Sequence, residues 1–122
     1  MIQGFESITA DLNEHEQNTV VPLIAKGLSL RHGAARAISN KQIVAALRRN
    51  CNIKVTEARV RKIINYIRNH DIVKGIIATS RGYYIATTEQ ELLDYEDSLL
   101  GRENAIREVR LSMQRQRNAL FT

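Results

Sequence analysis

The segment from Thr56 to Asn69 constrains this chain more than any other part of it. Wound as a helix, Val60, Ile63, Ile64 and Ile67 fall within one arc. Ala58, Lys62, Asn65 and Asn69 fall opposite, and Arg59, Arg61, Tyr66 and Arg68 lie on the flanks. Such a helix must bury its aliphatic arc against other elements and present a basic, polar arc away from them. Thr56 is a good N-cap, and Asn69 or His70 marks the exit. Tryptophan is absent and aromatics are only 5% of the chain, so the core that receives the arc must be aliphatic.

The neighbouring segments supply that core. Residues 9–29 read as a helix, with Asp11–Glu14 or Thr9 as its cap. Leu12, Thr19, Val20, Leu23, Ile24 and Leu28 form its apolar stripe. Pro22 inside the stripe either kinks the helix or sits in the first turn of one that starts near Thr19. Residues 29–39 read as a loop, ending in a very short strand at Ala37-Ile38-Ser39. A second helix follows, with a Ser39–Gln42 capping box and Ile43, Val44 and Leu47 inward, stopping near Asn50. The connector Cys51–Val55 is short, and Ile53 or Val55 plugs the core. Beyond the third helix, Ile76–Thr79 and Tyr83–Ala86 read as strands joined by Ser80-Arg81-Gly82, with Gly82 in the left-handed position. Tyr83 and Tyr84 alternate across this hairpin. Both are read as packing residues, with stacking of an exposed one on a base as the alternative.

From Thr88 onward the pattern is helical, opening on a Thr88–Glu91 capping box. Leu92, Leu99, Ile106, Met113 and Leu120 recur every seven residues. The companion positions Tyr95 and Val109 are apolar, whereas Arg102 and Gln116 are not. Gly101 either bends the segment or divides it. The seam is expected to mediate oligomerisation, a dimer first, with packing onto its own domain as the alternative. The expected fold class is therefore mainly α with a small β-hairpin (α+β). Residues 1–87 would form one domain and 88–122 a helical extension.

Charge is segregated along the chain. Residues 1–29 carry a net −3, residues 30–86 a net +10 and residues 87–122 a net −2. A basic middle between acidic flanks concentrates positive potential on one part of a fold, as a polyanion-binding surface requires. Other chemistries lack their residues. Cys51 is the only cysteine, which excludes an internal disulfide and reads as a small buried hydrophobe. His15, His32 and His70 are scattered and read as surface or capping residues. No phosphate-cradling glycine motif and no zinc-ligand spacing occurs, so neither an enzyme nor a cofactor is expected. No apolar run approaches the ~18 residues of a membrane span, and no signal peptide is visible at Met1–Glu6, so a cytoplasmic location without membrane contact is expected.

Helix, tight connector, helix and hairpin form a helix-turn-helix followed by a wing. Three stretches carry the likeness: Ile38–Leu47, Thr56–Arg68 and Ile77–Ile85. On them the sequence resembles the winged-helix family of DNA-binding domains, and most of all small winged-helix proteins of bacteriophages and prophages, over about residues 37–87. The resemblance implies that Thr56–Asn69 is a recognition helix for the major groove of double-stranded DNA and that Ser80-Arg81-Gly82 is the wing tip. Lys62 and Asn65 lie most directly opposite the buried arc and are the first choices for base edges, followed by Arg59 and Arg61. Lys54, Arg68, Lys74 and Arg81 suit phosphates, as does Thr56 at the helix N-terminus, and Tyr66 belongs to the same surface. Glu57 is expected to pair with Arg61 at i+4. Transcriptional regulation is the expected role. The alternatives are a phage replication or DNA-packaging adaptor that recruits a partner, and a protein-interaction module.

Overall fold

A computed structural model describes residues 10–122, so the alternative Thr9 cap lies outside the described residues. The chain is mainly helical with one antiparallel two-stranded hairpin, an α+β arrangement. It divides into two compact units, Met1–Thr87 and Thr88–Thr122.

In the first unit a π-helical turn, Glu16–Val20, runs directly into α1, Val21–Leu28. The chain is thus helical through Pro22 without a break. Proline has no N–H for the carbonyl four residues back and its ring crowds that carbonyl, so a wider turn just ahead of it relieves both problems. The start differs from expectation. Asn13 Oδ1 accepts the Glu16 N–H at 2.8 Å, and Glu16 Oε1 accepts the Asn13 N–H at 3.0 Å, so the reciprocal cap is Asn13–Glu16 rather than Asp11–Glu14. Val20, Val21, Ile24, Ala25 and Leu28 are buried, whereas Thr19 and Leu23 are not.

A 3-10 turn, Ala34–Arg36, leads to α2, Asn40–Cys51. The Ser39–Gln42 capping box is present in both directions, and Ile43 and Leu47 are buried. Asn52 closes α2 in the left-handed region at φ 52°, which asparagine tolerates better than most residues. Ile53 and Val55 both pack against the core. Cys51 is exposed, contrary to its reading as a buried hydrophobe: it continues the face of Ile43 and Leu47, but in the last turn of α2, where that face borders an open cleft instead of the core.

Helix α3, Glu57–Asn69, starts from Thr56, whose hydroxyl accepts the Arg59 N–H at 3.2 Å. Val60, Ile63, Ile64 and Ile67 are completely buried. Each contributes about 1.5–3 kcal/mol of transfer free energy, an upper bound because the unfolded chain already shields some apolar surface. This arc is the centre of the core, which α1, α2 and the hairpin close.

Strands β1, Ile76–Thr79, and β2, Gly82–Ile85, pair with Ile77 opposite Tyr84 and Thr79 opposite Gly82. The connection is therefore the two residues Ser80 and Arg81, with Gly82 already in the strand. Thr79 Oγ1 closes it by accepting the Arg81 N–H at 3.2 Å and donating to the Gly82 carbonyl at 3.1 Å. The short strand expected near Ile38 is a single bridge to β2: Ile38 and Tyr83 exchange N–H to carbonyl hydrogen bonds of 2.9 and 2.8 Å. Both Tyr83 and Tyr84 are buried, and the Tyr83 hydroxyl donates to Asn40 Oδ1 at 2.8 Å, tying the hairpin to the start of α2.

The second unit is one helix, α4, Glu89–Leu120, continuous through Gly101 and opened by the Thr88–Glu91 capping box. None of its side chains is buried. No helix among the described residues is long and apolar enough to cross a membrane.

Candidate nucleic-acid interface

Burial of its aliphatic arc fixes how α3 is turned, and that in turn fixes which cations face outward. Arg61, Asn65 and Asn69 are exposed, and Lys62 is half-buried. Lys54 in the connector, Lys74 just before the hairpin and Arg81 in its turn are exposed, as is Thr56, whose hydroxyl serves as the cap. Among the described residues no ion pair joins Glu57 to Arg61, so the expected i+4 bridge is absent and the Arg61 guanidinium is not drawn along its own helix.

One flank of α3 is occupied by the chain itself. Arg59 Nη2 meets Glu16 Oε1 at 2.6 Å and Arg59 Nε donates to Glu16 Oε2 at 3.0 Å, a bidentate pair with side chains only 13% and 7% exposed. The same guanidinium donates to the carbonyls of Ala10 at 2.6 Å and Asp11 at 3.3 Å. The Arg59 hydrogen bonds hold the Glu16 carboxyl below its ordinary value of 4.5, against the opposing pull of burial. Arg59 therefore leaves the set of residues expected to meet a ligand: it is a clamp between the N-terminal segment and α3. Helical periodicity placed it on a flank, but no local signal says that a flank will be covered by a segment more than 40 residues away.

Two more of the expected contacts have internal roles. Arg68 is half-buried, and its Nη2 donates to the Ile76 carbonyl at 3.2 Å, bracing the first residue of β1. Tyr66 packs partly against the core and stacks on His70, with ring centroids 4.0 Å apart, while His70 Nδ1 lies 2.9 Å from the Tyr66 carbonyl oxygen. Lys62 lines a cleft of about 540 Å³ with Asn65, Tyr66, Asn69 and His70 on one wall and Asp11, Leu12 and Gln17 on the other. The outward strip of α3 is thus narrower than the helical wheel alone implies.

A second depression, of about 240 Å³, lies where the N-terminus of α2, Glu57 and the hairpin turn converge, lined by Ser39, Asn40, Lys41, Glu57, Thr79 and Ser80 among others. Lys41 is exposed at its rim, one residue into α2, where the helix dipole is positive. Lys41 is not among the contacts expected from the sequence, although a cation directly behind a capping box is legible there. Glu16 was likewise counted only as part of an acidic flank, although its spacing from Asn13 marks a cap. No group of three or more His, Cys, Asp or Glu residues gathers among the described residues to hold a metal ion.

Comparison with protein-family models, with curated proteins and with solved structures finds no match.

Proposed function

We propose that the first unit is a winged-helix domain that binds double-stranded DNA, with α3 entering the major groove and the hairpin serving as wing. The reading rests above all on one observation: α3 has its four β-branched aliphatic residues completely buried while Arg61 and Asn65 stand outward. The Ile38–Tyr83 bridge supports it, because a hairpin extended by a third short segment beside the second helix is what a wing requires. Asn65 suits adenine and Arg61 suits guanine, each by paired hydrogen bonds to a base edge. Lys54, Lys74, Arg81 and Lys41 suit phosphates, which position the domain without reading sequence. A transcriptional regulator acting as a homo-oligomer through α4, in the cytoplasm and without a cofactor, is the role that fits this arrangement best.

The test is selection of bound duplexes from a random pool, followed by titration at increasing salt. A DNA reader enriches a defined site and loses affinity steeply with salt. Arg61→Ala or Asn65→Ala is expected to relax preference at one base pair by about 1–3 kcal/mol with the fold intact. Absence of binding to any duplex at low salt rejects the reading and favours an acidic protein partner.

A further inference from the structure

We propose that α4 pairs with the α4 of a second copy of this chain, and that the pairing is antiparallel. This deepens the reading of α4 as an assembly element and does not depend on DNA binding.

The argument begins with the distribution of charge along the helix. Between Glu89 and Asp97 stand five acidic residues, and the first basic residue is Arg102. From Arg102 onward stand five arginines against two glutamates. One half of α4 is therefore acidic and the other basic. Two copies side by side in the same direction set like halves against each other, whereas two copies in opposite directions set each acidic half against a basic one.

The heptad frame sharpens this. With Leu92, Leu99, Ile106, Met113 and Leu120 as the first seam position, the second is Tyr95, Arg102, Val109 and Gln116. One flank of the seam is then Glu96, Glu103, Arg110 and Arg117, and the other is Glu91, Ser98, Ala105, Ser112 and Ala119. In a parallel pair each flank meets the opposite flank of its partner. Glu96 would then face the partner's Glu91, like against like, and Glu103, Arg110 and Arg117 would each face a serine or alanine, so no opposite-charge pair would form. In an antiparallel pair each flank meets its own kind. Setting Glu103 against the partner's Arg110 also sets Glu96 against the partner's Arg117, so both acids and both arginines of each copy are matched.

The same register seats Ile106 against the partner's Val109 and Leu120 against the partner's Tyr95. On the far flank only serine and alanine meet, so the backbones approach closely. Arg102 and Gln116 fall against the partner's Met113 and Leu99, where their stems cover apolar surface while their polar ends reach water. From Leu99 onward the seam is exposed, Ile106 to 69% and Leu120 to 74%, while Leu92 and Tyr95 are half-buried. Long helices in proteins draw most of their stability from packing of an apolar face, which the second copy supplies here.

The test uses the full chain in sedimentation equilibrium. Glu96→Arg with Glu103→Arg makes the charged flank all arginine, and Arg110→Glu with Arg117→Glu makes it all glutamate. The wild type is expected to dimerise. Each double variant alone should do so at least about tenfold more weakly, as matched pairs become repulsive. An equimolar mixture of the two should recover a heterodimer at least as tight as the wild type, with helix content regained if either variant alone had lost it. A wild type that stays monomeric at about 100 µM, in the weak-affinity range, overturns both the assembly reading and the orientation. A dimer indifferent to both charge swaps, or a mixture that fails to recover association, overturns the orientation alone.

Discussion

Gly82→Ala is a severe test of how the first unit is held together. Gly82 opens β2 at φ +122°, beside the backbone that leads into α2. A β-carbon there would stand 2.3 Å from both the carbonyl carbon and the oxygen of Ile38, and 2.6 Å from the nitrogen of Ser39. These are backbone atoms, and neither can step aside freely. Ile38 is held by its two hydrogen bonds to Tyr83, and Ser39 is locked as the cap of α2 by Gln42. An alanine therefore carries the left-handed backbone penalty of about 1–2 kcal/mol. It also displaces the Ile38–Tyr83 pair, at about 0.5–1.5 kcal/mol for each of its two hydrogen bonds. The expected loss is about 2–5 kcal/mol, a large share of the 5–15 kcal/mol that typically separates folded from unfolded domains. Urea unfolding of the full chain gives the magnitude, and amide exchange locates it: the Tyr83 and Ile38 N–H groups should lose protection before the α3 amides do. If the variant loses less than about 1 kcal/mol, a loss usual for an ordinary surface substitution, and the Tyr83 amide stays protected, the approach of the Ile38 segment to β2 is not as described.

Other expectations follow from the clamp, the wing and the long helix. Glu16→Gln should cost about 2–3 kcal/mol at neutral pH in chemical denaturation, less than a fully buried pair because Arg59 keeps two carbonyl partners. Because the folded state holds the Glu16 carboxyl below its ordinary value, its contribution is fully present above about pH 4.5 and is lost as the pH falls through the lowered folded value. The gap between wild type and Glu16→Gln should therefore close on acidification, and a gap that stays constant with pH argues against the ion pair. Arg81→Ala should weaken binding to all duplexes alike and reduce the slope of log affinity against log salt by about one; a loss confined to one sequence contradicts a phosphate role. Gly101 has nothing near the position of an added β-carbon, so Gly101→Ala should stabilise α4 by about 0.5–1 kcal/mol, read as increased helix content on heating.

The secondary elements were largely legible because their signals are local. A capping box needs four residues, an aliphatic arc four or five, and a hairpin two short runs and a turn, so Ser39–Gln42, Val60–Ile67 and Ile76–Ile85 announced themselves. Where the reading missed, the cause was also local. Proline interrupts an α-helical pattern, but a π-helical turn ahead of Pro22 lets the helix run through it. The hairpin turn lost one residue to the strand because the Thr79 hydroxyl closes a tighter connection. Cys51 was read from the habit of its residue type, whereas its position at the end of α2 governs its exposure.

The candidate interface divides along the same line. By itself the amino-acid order determined that α3 carries an aliphatic arc and a basic arc, that cations crowd into residues 30–86, and that α4 has a seam every seven residues, since periodicity and composition are properties of the chain alone. Only the tertiary structure decided which cations on α3 remain outward. Arg59 and Arg61 are two residues apart on one helix, yet one is clamped by Glu16 and two carbonyls of the N-terminal segment and the other is exposed. The difference comes from a contact across 43 positions of sequence, which depends on how α1 packs on α3 and leaves no trace in the residues around either arginine.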